Sequence, residues 1–297
     1  MKTVMNNRLK GTGAALVTPF MPDGSIDFCS LERLVEDLVT NGVDYLTTVC
    51  TTSETPTLTE EEKDEIVSCV VKANAGRAAI VRGLGGPNTM EIARQLQTKD
   101  FTGVDAILSV TPFYNRPNQE GIYQHYKVLA QHSPLPLILY NVPGRTGCNI
   151  EADTTLRMAN DFPNIVAVKE ASGNMNQIMK VIAHKPADFS VISGDDAITL
   201  PLLAAGVDGV ISVVANAFPK EVSTMVRLAR QNRFEEARAI HLRLLDFTQA
   251  CFKEGSPAGV KCLLALQGKI NNVLRLPQVP ASAALSETFT HLLSENQ

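Results

Sequence analysis

The sequence predicts an α/β chain folded as a (β/α)8 TIM barrel with a C-terminal three-helix appendage. Short β-like apolar runs alternate with longer stretches of helical period through the first 231 residues. The strand-like runs number eight, at residues 14–17, 45–49, 79–81, 106–110, 137–140, 166–169, 190–193 and 209–213. Beyond residue 231 the strand signal ends and only helical periodicity follows.

Eight β/α repeats with branched, buried strands and right-handed crossovers close most simply into a parallel barrel. A barrel needs roughly 250 residues, and the chain has 297. An open, doubly wound sheet is the rival, but its phosphate fingerprint is missing. The segment GLGGPN at 83–88 lacks the third glycine of GxGxxG and leads to no acid on a ribose strand. It reads as a tight turn at a strand end.

The helices follow from their own signals. In SLERLVEDLVTNG, Leu31, Leu34, Val35 and Leu38 fall on one face. Thr59 before Glu60-Glu61-Glu62 reads as an N-cap, with Glu62 completing a capping box. Gly42, Gly76, Gly103 and Gly206 stand where helices should stop. An eighth helix is expected at about 219–231, then three more at 234–252, 258–267 and 281–294, separated by Gly or Pro breaks. This divides the chain into a catalytic barrel, 1–231, and a helical region, 232–297, which reads as an appendage rather than a second functional domain.

Composition narrows the function. Hydrophobic residues make up 44%, charged residues 20%, and the formal net charge is -4. That gives no footprint for nucleic acid or an anionic membrane. The first residues lack the apolar stretch of a secretory signal, and the longest apolar runs, such as 201–207, are too short to span a bilayer. Six cysteines without a CxxC pair read as reduced thiols in the cytoplasm. Five histidines form no HxxxH or HExxH pair, so no metal site is expected.

Barrel active sites sit at the C-terminal ends of the strands. The residues there include Thr18, Thr51, Thr52, Glu54, Tyr114, Asn115, Tyr140, Asn141, Arg145, Lys169, Glu170, Gly194, Asp195 and Asp196, all but the glycine polar. Lys169 closes IVAVK, where Ile165, Ala167 and Lys169 alternate onto one face. If that face is the interior, desolvation favours the neutral amine, which can attack a carbonyl. A structural lysine that snorkels outward or pairs with Glu170 fits the position equally well. Tyr140 ends the neighbouring run, where a phenol can transfer protons or simply cap the core. Thr51 and Thr52 can relay a proton or hold a carboxylate, or be ordinary turn residues. Arg145, in NVPGRTG, offers a guanidinium for a substrate carboxylate. Asp195-Asp196 read as an N-cap and a loop acceptor in preference to a metal or acid/base dyad.

TPFYNRP, YNVPGRTG, VAVKEASGN and SGDD, in this order on successive strands, resemble the dihydrodipicolinate synthase branch of the N-acetylneuraminate lyase family of pyruvate-dependent class I aldolases. The likeness covers essentially the whole chain, including GTGAALVTPF near the start. It implies a lyase of lysine and diaminopimelate synthesis that condenses pyruvate with L-aspartate 4-semialdehyde. By position, Lys169 would form the pyruvate imine and Tyr140 would shuttle protons through Thr51 to Tyr114, which would cross from a neighbouring subunit. Thr52 would hold the pyruvate carboxylate, Arg145 the semialdehyde carboxylate, and Gly194 and Ile211 would line the pyruvate pocket. The resemblance further implies a homotetramer built as a dimer of dimers, with no cofactor beyond the covalent imine. Within the family, aldolases of N-acetylneuraminate or 2-keto-3-deoxy sugar acids share the lysine and tyrosine, while Arg145 favours the synthase. A silent small-acid binding protein would be expected to lack the lysine or a relay hydroxyl.

One departure stands out. The usual GTTGE reads Cys50-Thr51-Thr52-Ser53-Glu54 here, which strains the turn if either glycine position requires φ > 0. By the same resemblance, feedback by free lysine should be weak. Lys63 and Pro87 stand where sensitive relatives carry a histidine and a side-chain amide, while Glu91 is retained.

Overall fold

The computed structural model describes residues 8–295. The opening residues on which the reading about a secretory signal rests lie partly outside it. Eight parallel strands close into a barrel in sequence order. They are β1 Gly11–Ala15, β2 Tyr45–Thr48, β3 Ala79–Gly83, β4 Ala106–Val110, β5 Leu137–Asn141, β6 Ile165–Glu170, β7 Ser190–Ser193 and β8 Gly209–Ser212. Around them run α1 Phe28–Thr40, α2 Glu60–Asn74, α3 Thr89–Thr98, α4 Gln119–His132, the short α5 Pro143–Thr146, α6 Ala152–Asp161, α7 Met175–His184, α8 Thr199–Ala205 and α9 Pro219–Arg230. Three helices follow: α10 Phe234–Lys253, α11 Ala258–Leu266 and α12 Ala283–Glu295.

Local chemistry accounts for the elements. Helix α1 buries Leu31, Leu34, Val35 and Leu38, the face its periodicity predicts. The Thr59 hydroxyl accepts from the Glu62 amide while the Glu62 carboxylate accepts from the Thr59 amide, so the capping box is complete. GLGGPN forms the turn between β3 and α3, with Asn88 capping the helix. Gly206 ends α8 as a left-handed cap. Gly103 does not end a helix. Helix α3 stops at Thr98 with Lys99 as its cap, and Gly103 lies in the loop before β4.

The first strand lies three residues earlier than its apolar run suggested, because two of its members are glycines. Gly13 pairs with Tyr45 across the β1–β2 ladder. A Cβ on Gly13 would come within 2.1 Å of the Tyr45 ring, so the strand is bare where the ring fills the barrel.

Register then fixes what faces inward. Val110 pairs with Tyr140, Tyr140 with Lys169, and Lys169 with Ile192. Partners in a parallel ladder put their side chains on the same face, so these residues share one interior layer. Gly13 and Ile211 pair in the β1–β8 ladder. All six residues of β6 are buried, so it is the ladder register, not burial, that places Lys169 with Tyr140.

The C-terminal helices pack on the barrel rather than beside it. Helix α10 lies against α9, α11 and α12, and Phe247 meets Phe218 edge-on at 4.8 Å. Helix α11 sends Lys261 to the loop after β2, where it meets Glu54. No helix among the described residues is long and apolar enough to cross a membrane.

Candidate active site

At the C-terminal end of β6, Lys169 is only 5% exposed, and its Nζ lies 4.3 Å from the centroid of the Tyr140 ring. It does not pair with Glu170. Alternation turns Glu170 away from the interior, where its carboxylate accepts from Asn141 Nδ2 and Gln177 Nε2, each at 2.8 Å. Burial pushes the Glu170 carboxyl up, and these two donors and Ser172 oppose the rise. No hydrogen-bond acceptor meets the Lys169 amine among the described residues. Beside it, a Cβ on Gly194 would lie 3.0 Å from Lys169 Cε and 2.8 Å from Ala171 Cβ, so glycine keeps the flank of the lysine open.

Asp195 and Asp196 take the two structural roles. Asp195 Oδ1 accepts from the Ala197 amide at 3.1 Å, capping the turn that follows β7. Asp196 accepts from the Ser212 hydroxyl and, at 3.0 Å, from the Val213 amide. Burial raises the Asp196 carboxyl, while these donors and the Lys169 charge favour its ionised form.

The loop after β2 carries Thr51 and Thr52 on a tight turn, Thr51–Ser53. Cys50 has φ -115°, an ordinary extended conformation, and neither it nor Ser53 has positive φ. The two replacements of glycine therefore fit without backbone strain. Left-handed backbone falls instead on Val49 at φ 53° and Glu54 at φ 57°, the former being rare for a β-branched residue. Ser53 contributes a bond that glycine could not make: its Oγ donates to the Leu16 carbonyl at 2.7 Å. The Thr18 hydroxyl donates to the Ser53 carbonyl at 2.8 Å.

A cavity of about 450 Å³ opens over this loop, with Cys50, Thr51, Val110, Phe113, Tyr140, Val142 and Arg145 in its wall. Thr51, Tyr140 and Arg145 thus share one space. Arg145 sits on α5, exposed at the mouth, and its Nη2 donates to the Ser256 carbonyl at 3.2 Å. Lys169, Thr52, Gly194 and Ile211 are not in this wall. Thr52 and Ile211 are buried, at 4% and 1% exposure, and Lys169 lies against the ring of Tyr140. Tyr114 is also outside this wall: it is 89% exposed, with φ 72°.

The same cavity runs on past Glu60, Lys63, Arg82, Pro87 and Gln95. Lys63 Nζ lies 2.7 Å from Glu60 Oε1. Glu91 is outside the wall and is bound by Arg94 and Gln95. Sequence reasoning passed over Arg82, an arginine 2% exposed on β3 and paired with Asp64. It also passed over Lys261. The signal for both is the same, a single charge inside an apolar run (AIVRG and AGVKCLLAL). The described residues contain no group of three or more His, Cys, Asp or Glu that could hold a metal ion.

The model of the dihydrodipicolinate synthetase family matches residues 8–296. The 4-hydroxy-tetrahydrodipicolinate synthase of Parabacteroides distasonis is 53% identical over 287 residues, 97% of each chain. A solved structure described as a monomeric dihydrodipicolinate synthase variant is 39% identical with TM-score 0.95, covering 98% of this chain and 97% of that one. The dihydrodipicolinate synthase of Cyanidioschyzon merolae with lysine bound is 37% identical with TM-score 0.93, covering 97% of this chain and 98% of that one.

Proposed function

The chain belongs to the dihydrodipicolinate synthetase family, and on that premise we propose that it condenses pyruvate with L-aspartate 4-semialdehyde through an imine on Lys169. The observation that carries the reading is the buried Lys169 amine against the ring of Tyr140, which itself lines a cavity shared with Thr51 and Arg145. An amine without a bonded acceptor, in a site shielded from water, is suited to attack on a carbonyl.

In this scheme Lys169 Nζ attacks C2 of pyruvate, and the carbinolamine loses water to give the imine. Loss of a C3 proton gives the enamine, whose C3 attacks the aldehyde carbon of the semialdehyde. The amine of the semialdehyde then adds to C2 and displaces Lys169 as the ring closes. The protonated imine is the electron sink, so the scheme calls on no metal or organic cofactor. Tyr140 moves the protons, relayed through Thr51 to Tyr114. Thr52 and the backbone around it hold the pyruvate carboxylate, and Gly194 and Ile211 shape the pocket around pyruvate. Arg145, exposed at the mouth, takes the semialdehyde carboxylate by a charge-assisted contact.

Tyr114 is assigned to the site of a neighbouring subunit, in a homotetramer built as a dimer of dimers. Its 89% exposure in its own chain, in left-handed backbone at a strand end, supports that assignment. The cytoplasm is the proposed compartment, where the six unpaired cysteines stay reduced.

The test is direct. Borohydride with pyruvate should inactivate the enzyme irreversibly and leave a reduced adduct on Lys169 by mass spectrometry. Product should form from pyruvate and the semialdehyde, without cleavage of N-acetylneuraminate. An adduct on another lysine, or cleavage of the sugar acid alone, overturns the proposal.

A further inference from the structure

The Thr51–Ser53 turn is gripped from a distant part of the chain. Two residues after Thr52, Glu54 turns its carboxylate into the protein, and Oε1 lies 2.6 Å from Lys261 Nζ, with the two side chains 1% and 0% exposed. The other oxygen accepts from the Arg275 amide at 3.1 Å. Lys261 is the one charged residue of α11 and comes 207 positions later in the chain. Burial lowers its ammonium to about 8 even with Glu54 beside it. Lys261 and Arg275 lie over the same Phe20 ring, at 4.2 and 4.6 Å from its centroid. Arg275 also donates to the Thr57 carbonyl at 3.0 Å, on the far side of Glu54.

Stability alone is a poor reason for this arrangement. A buried ion pair contributes little over two well-packed apolar side chains, because desolvation offsets the attraction. Helix α11 is otherwise apolar and could bury a methionine at position 261. Glu54 also holds left-handed backbone, a further cost. What the pair supplies that apolar packing cannot is a directional contact. It fixes the end of the turn whose first residue lines the cavity beside Tyr140.

We propose that Glu54 and Lys261 form a positioning pair that sets the Thr51–Thr52 turn, so that the C-terminal helical region completes the active site from outside the barrel. This rests on the reading of Thr51 as a proton relay and Thr52 as a carboxylate holder. Glu54 and Lys261 touch no reacting atom in that scheme and act through the turn.

The experiment separates position from stability. In the double variant Glu54→Met/Lys261→Met an apolar pair replaces the ionic one, so the thermal midpoint should stay near or above the parent value. Its kcat should fall at least 10-fold, while borohydride still traps pyruvate on Lys169. A folded double variant with parental kcat overturns the proposal. If that variant does not fold, Glu54→Asp retracts the carboxylate by one methylene and should lower kcat. Adding Lys261→Arg, which extends the cation, should restore at least half the loss; a failure to restore it also overturns the proposal. Thr51→Val tests the underlying reading separately. If it leaves turnover intact, the relay fails; if it lowers turnover while the double variant is unaffected, only the positioning pair fails.

Discussion

Lys169 and Tyr140 are lateral partners on adjacent strands, and the amine rests 4.3 Å from the centre of the phenol ring. The ring and the hydroxyl of Tyr140 therefore do separable things. Tyr140→Phe keeps the aromatic surface beside the amine and removes only the proton carrier. Turnover should drop by about 10²–10⁴-fold, while borohydride still captures the pyruvate imine. Loss of imine trapping in this variant contradicts the assignment.

Arg145 lies at the mouth and is held by one backbone carbonyl of the C-terminal region. Removing its guanidinium should weaken the semialdehyde by roughly 10- to 100-fold in KM, the range for a lost charge-assisted hydrogen bond. The KM for pyruvate should change little. Steady-state kinetics with each substrate varied in turn distinguishes the two, and a collapse confined to pyruvate reverses the roles.

Tyr114 is highly exposed and lies outside the wall of its own cavity. Mixing Tyr114→Phe with Lys169→Ala subunits should recover part of the activity that each lacks, because a hybrid dimer contains one intact site. A fully active monomer in sedimentation refutes the shared site.

His125 predicts a pH dependence of stability unrelated to catalysis. It is 3% exposed, its Nδ1 meets Thr89 Oγ1 at 2.8 Å, and burial lowers it from 6.5 to about 4. Below pH 6.5 the unfolded chain binds a proton that the folded chain does not. Stability is thus fully present above 6.5 and is lost as pH falls toward 4, by at most about 3 kcal/mol. Urea unfolding at pH 7 and pH 5 should show a smaller pH-dependent loss in His125→Phe than in the parent. Equal losses remove His125 as the cause.

Free lysine should inhibit weakly. The acid that the resemblance offers to its ammonium groups, Glu91, is outside the cavity wall and bound by Arg94, 2.7 Å away. The cavity presents Lys63 instead, with Glu60 shared between Lys63 and Lys99. Titration of lysine into the assay checks this, and half-inhibition at submillimolar lysine contradicts it.

Much of this protein was legible in one dimension, because periodicity, caps and strand-end polarity act over a few residues. The eight strands and the capping box at Thr59 followed from such short spacings, whereas the choice between an inward and an outward Lys169 was left to the closed barrel. The first strand was displaced because glycines give no hydrophobic signal, and only the Tyr45 ring explains why they are there. Whether Cys50 and Ser53 strain their turn depended on φ, which the sequence does not carry; the structure moved left-handed backbone to Val49 and Glu54. It also decided that Lys169 rests on Tyr140 rather than pairing with Glu170, since strand alternation sends adjacent carboxylate and amine to opposite faces. The contact of Glu54 with Lys261 depended on chain closure across 207 positions. Local propensity cannot specify such a pair, because it exists only once the last helices have packed against the barrel.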